Sequence, residues 1–237
     1  MVRDGVRVAF TDRFGGVSRP PYGELNLGSA SGPDADGVRA NFGLIAAEFG
    51  VPPERVVRVS QVHGRDVHVV RPEDDLPLQQ MPKADGLVTT RTDVVLAVRA
   101  ADCLPVLLFG DGVIGAAHSG RKGLYVGVVP ATVEAMQKLG AARITAVLGP
   151  YACGNCYEVP EEMRAEVVER VPAAYSETSW GTPALDVAAG VQAQLTELGV
   201  EVVDATACTI ELESLYSYRR EGPVSGRLAG LVKLVAQ

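Results

Sequence analysis

The sequence predicts an α/β fold with mixed β-sheets and helices on the outside, built as a single domain over residues 1–237. Short runs rich in Val, Ile and Leu, the composition of buried strands, alternate with segments whose apolar residues recur at helical spacing. The Asp-Gly pair at 111–112 joins two such runs too tightly for any crossover, so one strand pair is antiparallel and a purely parallel sheet is excluded. No repeat, low-complexity tract or Gly/Pro/Ser-rich linker separates two cores.

Taken in order, VRVAF (6–10) reads as a strand, and residues 11–28 form a Gly- and Pro-punctuated loop of the long kind that often carries function. Between Asp36 and Phe49, Val38, Phe42, Ile45 and Phe49 share one helical stripe, ended by Gly50. RVVRVS (55–60) and RDVHVV (65–70) read as strands flanking QVHG, which places His63 in a connection at a sheet rim. VVLAV (94–98), PVLLFG (105–110) and VIGAAH (113–118) read as three consecutive strands, with Cys103 between the first two and His118 ending the third. A Gly-flanked turn at 119–123 leads into a helix to about Leu139, with Val126, Val129, Val133 and Met136 on its apolar face and a kink expected at Pro130. Beyond it come a strand at 144–150, an irregular segment with two thiols at 151–159, helices at 160–170 and 185–198 and a strand at 200–206. A polar loop follows, and the last segment, 226–236, reads as a closing helix.

At 237 residues the chain is long enough to bury a core, and its 47% hydrophobic and 22% charged residues exclude a disordered or fibrous protein. A formal charge of −7 is the wrong sign for neutralising nucleic-acid phosphates, so no nucleic-acid partner is expected. No apolar run approaches the roughly 20 residues of a membrane helix, and the first ten residues carry charges where a signal peptide needs its apolar segment. The expectation is a cytoplasmic protein, a monomer or small homo-oligomer, whose four Cys are thiols or metal ligands before disulfides.

His63, Cys103 and His118 stand at three strand ends, and two imidazoles with one thiolate make a three-ligand zinc set with an open fourth position. The same donors suit copper. Two other readings stay open on these residues alone. Cys103 can be a nucleophile activated by His63 or His118, with Asp102 orienting an imidazole, or a small buried hydrophobe beside two loop histidines. His68, in alternating DVHVV, reads as a sheet-face residue pointing away from the set.

QVHG at 61–64, ADGLVT at 84–89, ADCLPV at 101–106, HSG at 118–120 and CTI…YSYRREG…GR at 208–227 resemble the YfiH-type laccase-domain family. FTDRFGGVS, PYGELNLG, VRANF and GP…CYEV also resemble its blocks in the same order, so the resemblance runs from residue 10 to about 230. The family has been called multicopper polyphenol oxidase, purine nucleoside phosphorylase with adenosine deaminase activity, and peptidoglycan editing factor. The resemblance implies an α/β/β/α sandwich and one metal, zinc first, held by His63, Cys103 and His118 at the mouth of a pocket. It also implies purine nucleosides and phosphate as partners: phosphorolysis of adenosine, inosine, guanosine and methylthioadenosine, and deamination of adenosine.

Supporting roles follow from chemistry and the same motifs. Asp85 and Asp102 are candidates to orient a ligand imidazole or shuttle a proton, or else turn caps. Lys122, Arg219, Arg220 and Arg227 are candidates for phosphate, or else solvated cations. Asn26, Asn41 and Gln61 are candidates for a ribose or base edge, or else backbone caps. Where the family reads HAGWRG this chain reads HSGRKG, so Ser119, Arg121 and Lys122 replace Ala, Trp and Arg, removing a stacking face and an Arg fork. Phe42 likewise stands where the family has Arg, and packing replaces a polar contact. Cys153 and Cys156 form a CxxC with no second CxxC, read as a packing or loop element rather than a redox pair, and Cys208 as a core thiol.

These readings leave a zinc-dependent purine nucleoside phosphorylase first. Behind it stand a Cys103-based hydrolase or editing factor acting on cell-wall precursors, a copper polyphenol oxidase, and a binding relative whose chemistry has decayed. Three His are too few for the many imidazoles of a multicopper oxidase.

Overall fold

Asp111 (φ 46°) and Gly112 (φ 77°) both take the left-handed backbone that a tight two-residue hairpin requires. They join β7 (Leu104–Gly110) to β8 (Val113–Ser119) in register from Gly110 opposite Val113 to Leu104 opposite Ser119. Around this hairpin the computed structural model, which describes residues 2–3, 5–29 and 31–235, assembles two mixed sheets.

The five-stranded sheet contains β1 (Val2–Arg3), β2 (Val6–Phe10), β3 (Val56–Val57), β6 (Val95–Ala100) and β13 (Leu228–Leu234), in the spatial order β1-β2-β13-β6-β3. The six-stranded sheet adds β4 (Val67–Val70), β5 (Gly86–Thr89), β9 (Thr145–Leu148) and β12 (Glu201–Asp204), in the order β12-β9-β7-β8-β5-β4. A separate hairpin pairs β10 (Tyr175–Glu177) with β11 (Pro183–Leu185).

Three apolar layers explain the stacking. Val8, Leu96, Val98 and Val232 of one sheet bury against Leu87, Leu107, Phe109 and Ile114 of the other, so the sheets face each other across a dry interior. On the outer face of the five-stranded sheet, Val38, Phe42, Ile45 and Ala46 of α1 (Ala35–Glu48) cover Val95, Ala97 and Leu231. On the outer face of the other lie α2 (Arg121–Val126), α3 (Val128–Lys138), α4 (Glu161–Arg170) and α5 (Val187–Glu197), whose Leu124, Val129, Val133, Met136, Val167 and Val191 pack on Val106 and Leu108. The result is the expected α/β/β/α sandwich.

Four local expectations are corrected. Residues 226–236 were expected to be helical, but 228–234 form β13, the centre of its sheet; residue 236 lies outside the described residues. A run buried on both faces has no polar period to tell a central strand from a helix. Gly230 settles the matter sterically, because a Cβ there would lie 3.0 Å from Pro105 Cβ in the facing sheet. The helix over 121–139 breaks at Gly127 (φ 80°), not at Pro130, which sits in the first turn of α3 where no intrahelical acceptor is lost. Strand structure in 55–60 is confined to Val56–Val57, with Ser60 bridging to Lys83 alone. Finally, β6 does not lie beside β7. Residues 101–103 carry the chain from one sheet to the other, and Asp102 adopts φ 89° in the crossing.

Candidate active site

That crossing puts Cys103 where the two sheets meet, at the end of β6 and the start of β7. The neighbouring β8 ends in His118 and Ser119, and the turn 61–64 before β4 brings in His63. The ligand-capable atoms of His63, Cys103 and His118 lie within 4.8 Å of one another. Cys103 Sγ is 3.8 Å from His63 Nε2, and the two imidazoles meet edge-on, 4.9 Å between centroids at 72°. Gly120 permits this approach, since a Cβ there would stand 2.6 Å from the Cys103 sulfur. His63 (φ 60°) and Asp102 (φ 89°) both hold left-handed backbone, a strain of about 1–3 kcal/mol each that clusters at functional sites.

Asp85, fully buried just before β5, orients both imidazoles. Its Oδ1 lies 2.9 Å from His118 Nδ1, which leaves Nε2 free to face the sulfur. Its Oδ2 accepts the backbone N–H of Val62 (3.0 Å) and Gly64 (2.7 Å), fixing the turn that carries His63. Burial alone would raise the Asp85 carboxyl, but the bonds to His118, Gly64 and Val62 hold it below its usual value. Burial would likewise raise the Cys103 thiol, yet the two imidazoles bring it down to about 6. His118, which burial would lower, is raised to about 9 by the thiolate and Asp85. In the metal-free chain the pair is therefore poised as the Cys103 thiolate and the His118 imidazolium, and a thiophilic cation bound there would displace the imidazolium proton. Two nitrogens and one sulfur converging on one point fit a single zinc or copper ion and leave room for a fourth ligand.

The three side chains line a cleft of about 630 Å³, together with Asp102, Asn26, Gln61, Arg219 and Arg227 from the sequence-derived set. Tyr22, Tyr157 and Tyr218 supply flat walls. The cleft also contains Arg99, which the sequence reading did not single out. Its guanidinium donates to the carbonyls of Gly28 (3.0 Å) and Val59 (3.3 Å), and burial together with the charges of Arg58 and Arg227 brings it down to about 10. Among the described residues no carboxylate forms a salt bridge with Arg99, Arg219 or Arg227. An arginine inside the apolar run VLAVRA was the available signal, because burying an unpaired charge is costly unless something uses it.

Other candidates are placed differently from the expectation. Asn41 is fully buried in α1 and spends its amide on Val17, Ser18 and the carbonyls of Glu24 and Asn26, so it braces the 11–28 loop instead of facing the cleft. Gln61 and Asn26 line the cleft, but their amides are also committed. Gln61 pairs with both backbone groups of Arg99, and the Asn26 carbonyl accepts from Gly28 and Arg227. Lys122 is exposed on α2 and does not line the cleft, and Ser119 is buried with an unpartnered Oγ. Arg220 donates to the carbonyls of Thr209, Ile210, Leu212 and Leu215 and does not line the cleft, which makes it a staple of the 209–215 turn. Asp102 orients no imidazole: its oxygens accept from Thr209 Oγ1 and the backbone N–H of Arg219, both at 2.7 Å. His68 sits on β4 opposite Leu87, outside the donor set.

The chain is similar to known proteins over nearly its whole length. A Streptomyces coelicolor protein named purine nucleoside phosphorylase is 56% identical over 237 residues, covering 98% of this chain and 96% of its own. Escherichia coli YfiH, also named purine nucleoside phosphorylase, is 34% identical over 98% of this chain and 95% of its own. The crystal structure of Bacillus licheniformis YfiH superposes with a TM-score of 0.88 at 27% identity, covering 97% of this chain and 92% of that one. Residues 7–235 match the model of the family described as multi-copper polyphenol oxidoreductase laccase, and the chain belongs to that YfiH-containing family.

Proposed function

We propose that the protein is a zinc-dependent purine nucleoside phosphorylase that also deaminates adenosine and cleaves methylthioadenosine in the same cleft. The observation that carries this reading is one cleft lined both by a three-donor metal set and by Arg99 and Arg227, which form no ion pair among the described residues. The names of the relatives point the same way.

Zinc, when bound, would be held by His63, Cys103 and His118 and would supply a Lewis acid. The chain's own residues do the rest. Arg99 and Arg227 hold phosphate against the anomeric carbon, where their charge offsets the oxyanion as the C–N glycosidic bond breaks and a phosphate oxygen bonds to C1′. Tyr22, Tyr157 and Tyr218 offer faces for a purine, and the Arg219 guanidinium, 4.7 Å above the Tyr157 ring, stiffens that wall. Phosphate-dependent release of hypoxanthine from inosine tests the assignment. Ammonia release from adenosine and adenine release from methylthioadenosine, each lost in a Cys103 variant, test the two further activities.

Arg99→Met removes the buried phosphate contact. A hydrogen bond to a charged group is worth about 1.5–3 kcal/mol, so the KM for phosphate should rise about 10–100-fold. Steady-state kinetics at varied phosphate read this directly, with metal content unchanged.

A second reading is favoured by the thiol–imidazole–carboxylate order of Cys103, His118 and Asp85, which also suits a cysteine nucleophile. A nucleophile needs one base, whereas both imidazoles converge on this sulfur, which suits a metal better. Activity that survives chelation would select the hydrolase. A multicopper centre lacks donors, since the chain has three His and one of them lies apart on β4.

A further inference from the structure

The sequence leaves Cys153, Cys156 and Cys208 as packing residues, because a single CxxC is half a site. The fold supplies the other half. Tyr151 and Cys208 form a parallel bridge, with Tyr151 N–H donating to Ala207 O (3.0 Å) and Thr209 N–H to Tyr151 O (2.9 Å), which sets the 208–211 turn beside the CxxC. Within the CxxC, Cys153 O accepts the N–H groups of Cys156 and Tyr157, both at 2.9 Å, folding the loop back so that its two sulfurs share a side. The N–H of Asn155 bonds to the Cys153 sulfur, a contact that favours a thiolate. The sulfurs of Cys153, Cys156 and Cys208 and a carboxylate oxygen of Glu211 all lie within 4.8 Å of one another, and Cys156 Sγ is 3.3 Å from Glu211 Oε1.

We infer that Cys153, Cys156, Cys208 and Glu211 form a second metal site, a closed tetrahedral position for a thiophilic divalent cation, zinc first. Tetrahedral zinc holds two thiolates about 3.8 Å apart and a thiolate about 3.6 Å from a carboxylate oxygen, as its bond lengths of about 2.3 and 2.1 Å require. The 3.3 Å between Cys156 Sγ and Glu211 Oε1 is near the second value, and the remaining donors lie within 4.8 Å, so binding would draw them together. Binding displaces three thiol protons and makes three Zn–S bonds and one Zn–O bond, with no redox change. Four protein ligands leave no open position, which makes the site structural.

Its placement gives it a purpose. The 152–157 segment donates Ala152 N–H to Asp102 O (2.9 Å) and puts Tyr157 in the cleft wall, while Thr209 Oγ1 holds Asp102 Oδ1. Arg220, ion-paired with Glu221, donates to the carbonyls of Thr209, Ile210 and Leu212 and so fixes the turn that carries Glu211. A cation here would pin both sides of the crossing that carries Cys103.

The test is metal content by mass spectrometry, with cobalt substitution, on wild type, Cys103→Ala, Cys156→Ser and the double variant. Two zinc equivalents are expected in wild type and one in each single variant. Cobalt-loaded Cys103→Ala should keep an intense thiolate-to-cobalt absorption that the double variant loses. Cys103→Ala leaves the second cluster intact, so it decides the question even if Cys156→Ser fails to fold. One equivalent in wild type with none in Cys103→Ala, or a disulfide among the three cysteines of protein kept reduced, overturns the inference.

Discussion

Cys103→Ala should lose the ion shared by His63 and His118, and its turnover of inosine with phosphate should fall by at least about 10³-fold, a barrier increase of about 4 kcal/mol. The sulfur is the donor on which both imidazoles converge, and it ends the crossing between the sheets just before β7. Removing it leaves two nitrogens, one of them on an exposed turn, and two imidazoles alone hold zinc poorly. The fold should survive, because Cys103 is only partly buried and alanine is smaller. Metal analysis, circular dichroism and kinetics on one preparation check all three parts. A variant that keeps full turnover without that ion would show that the metal is a bystander.

Asp85→Asn is the second large effect, and it changes a proton rather than a shape. The carboxylate accepts three N–H groups: His118 Nδ1–H, Val62 N–H and Gly64 N–H. An amide keeps one oxygen. If that oxygen stays on the 62–64 turn, its NH₂ faces His118 and forces the Nδ1 lone pair inward, so that Nε2 carries the proton and cannot ligate. If the amide flips, two backbone donors oppose an NH₂ and the His63 turn loosens. Either way metal affinity should fall about 10–100-fold. Competition with a chelator of known affinity measures it, and excess zinc should restore much of the activity, which a purely structural collapse would not allow.

Much of this architecture could be read from the chain because local chemistry decides it. The stripe of Val38, Phe42 and Ile45 allows one buried face, and Asp111-Gly112 allows one kind of turn. β13 was misread because its apolar run is buried on both sides, where periodicity carries no information. The three candidate metal-binding residues, His63, Cys103 and His118, were accessible through residue type and motif. Their positioning residue was ambiguous, because the pairing of Asp85 with His118 exists only once β5 and β8 lie antiparallel, with Gly86 opposite Ala117. Asn41, Gln61 and Arg220 looked like ligand-binding side chains and proved to be braces. A polar side chain near a loop serves the nearest unpaired backbone group first, and only the fold shows which groups those are. The cleft is lined by Arg99 of β6 and not by Lys122 of α2, which no sequence spacing announces.

The most direct test of the central claim is reconstitution. Metal-stripped protein would be titrated with zinc while inosine cleavage is followed with and without phosphate and the sugar product is identified by phosphorus NMR. The account predicts turnover that rises with the zinc bound by His63, Cys103 and His118, requires phosphate and yields ribose 1-phosphate. Cleavage that proceeds without zinc, or that gives free ribose in the absence of phosphate, would contradict it.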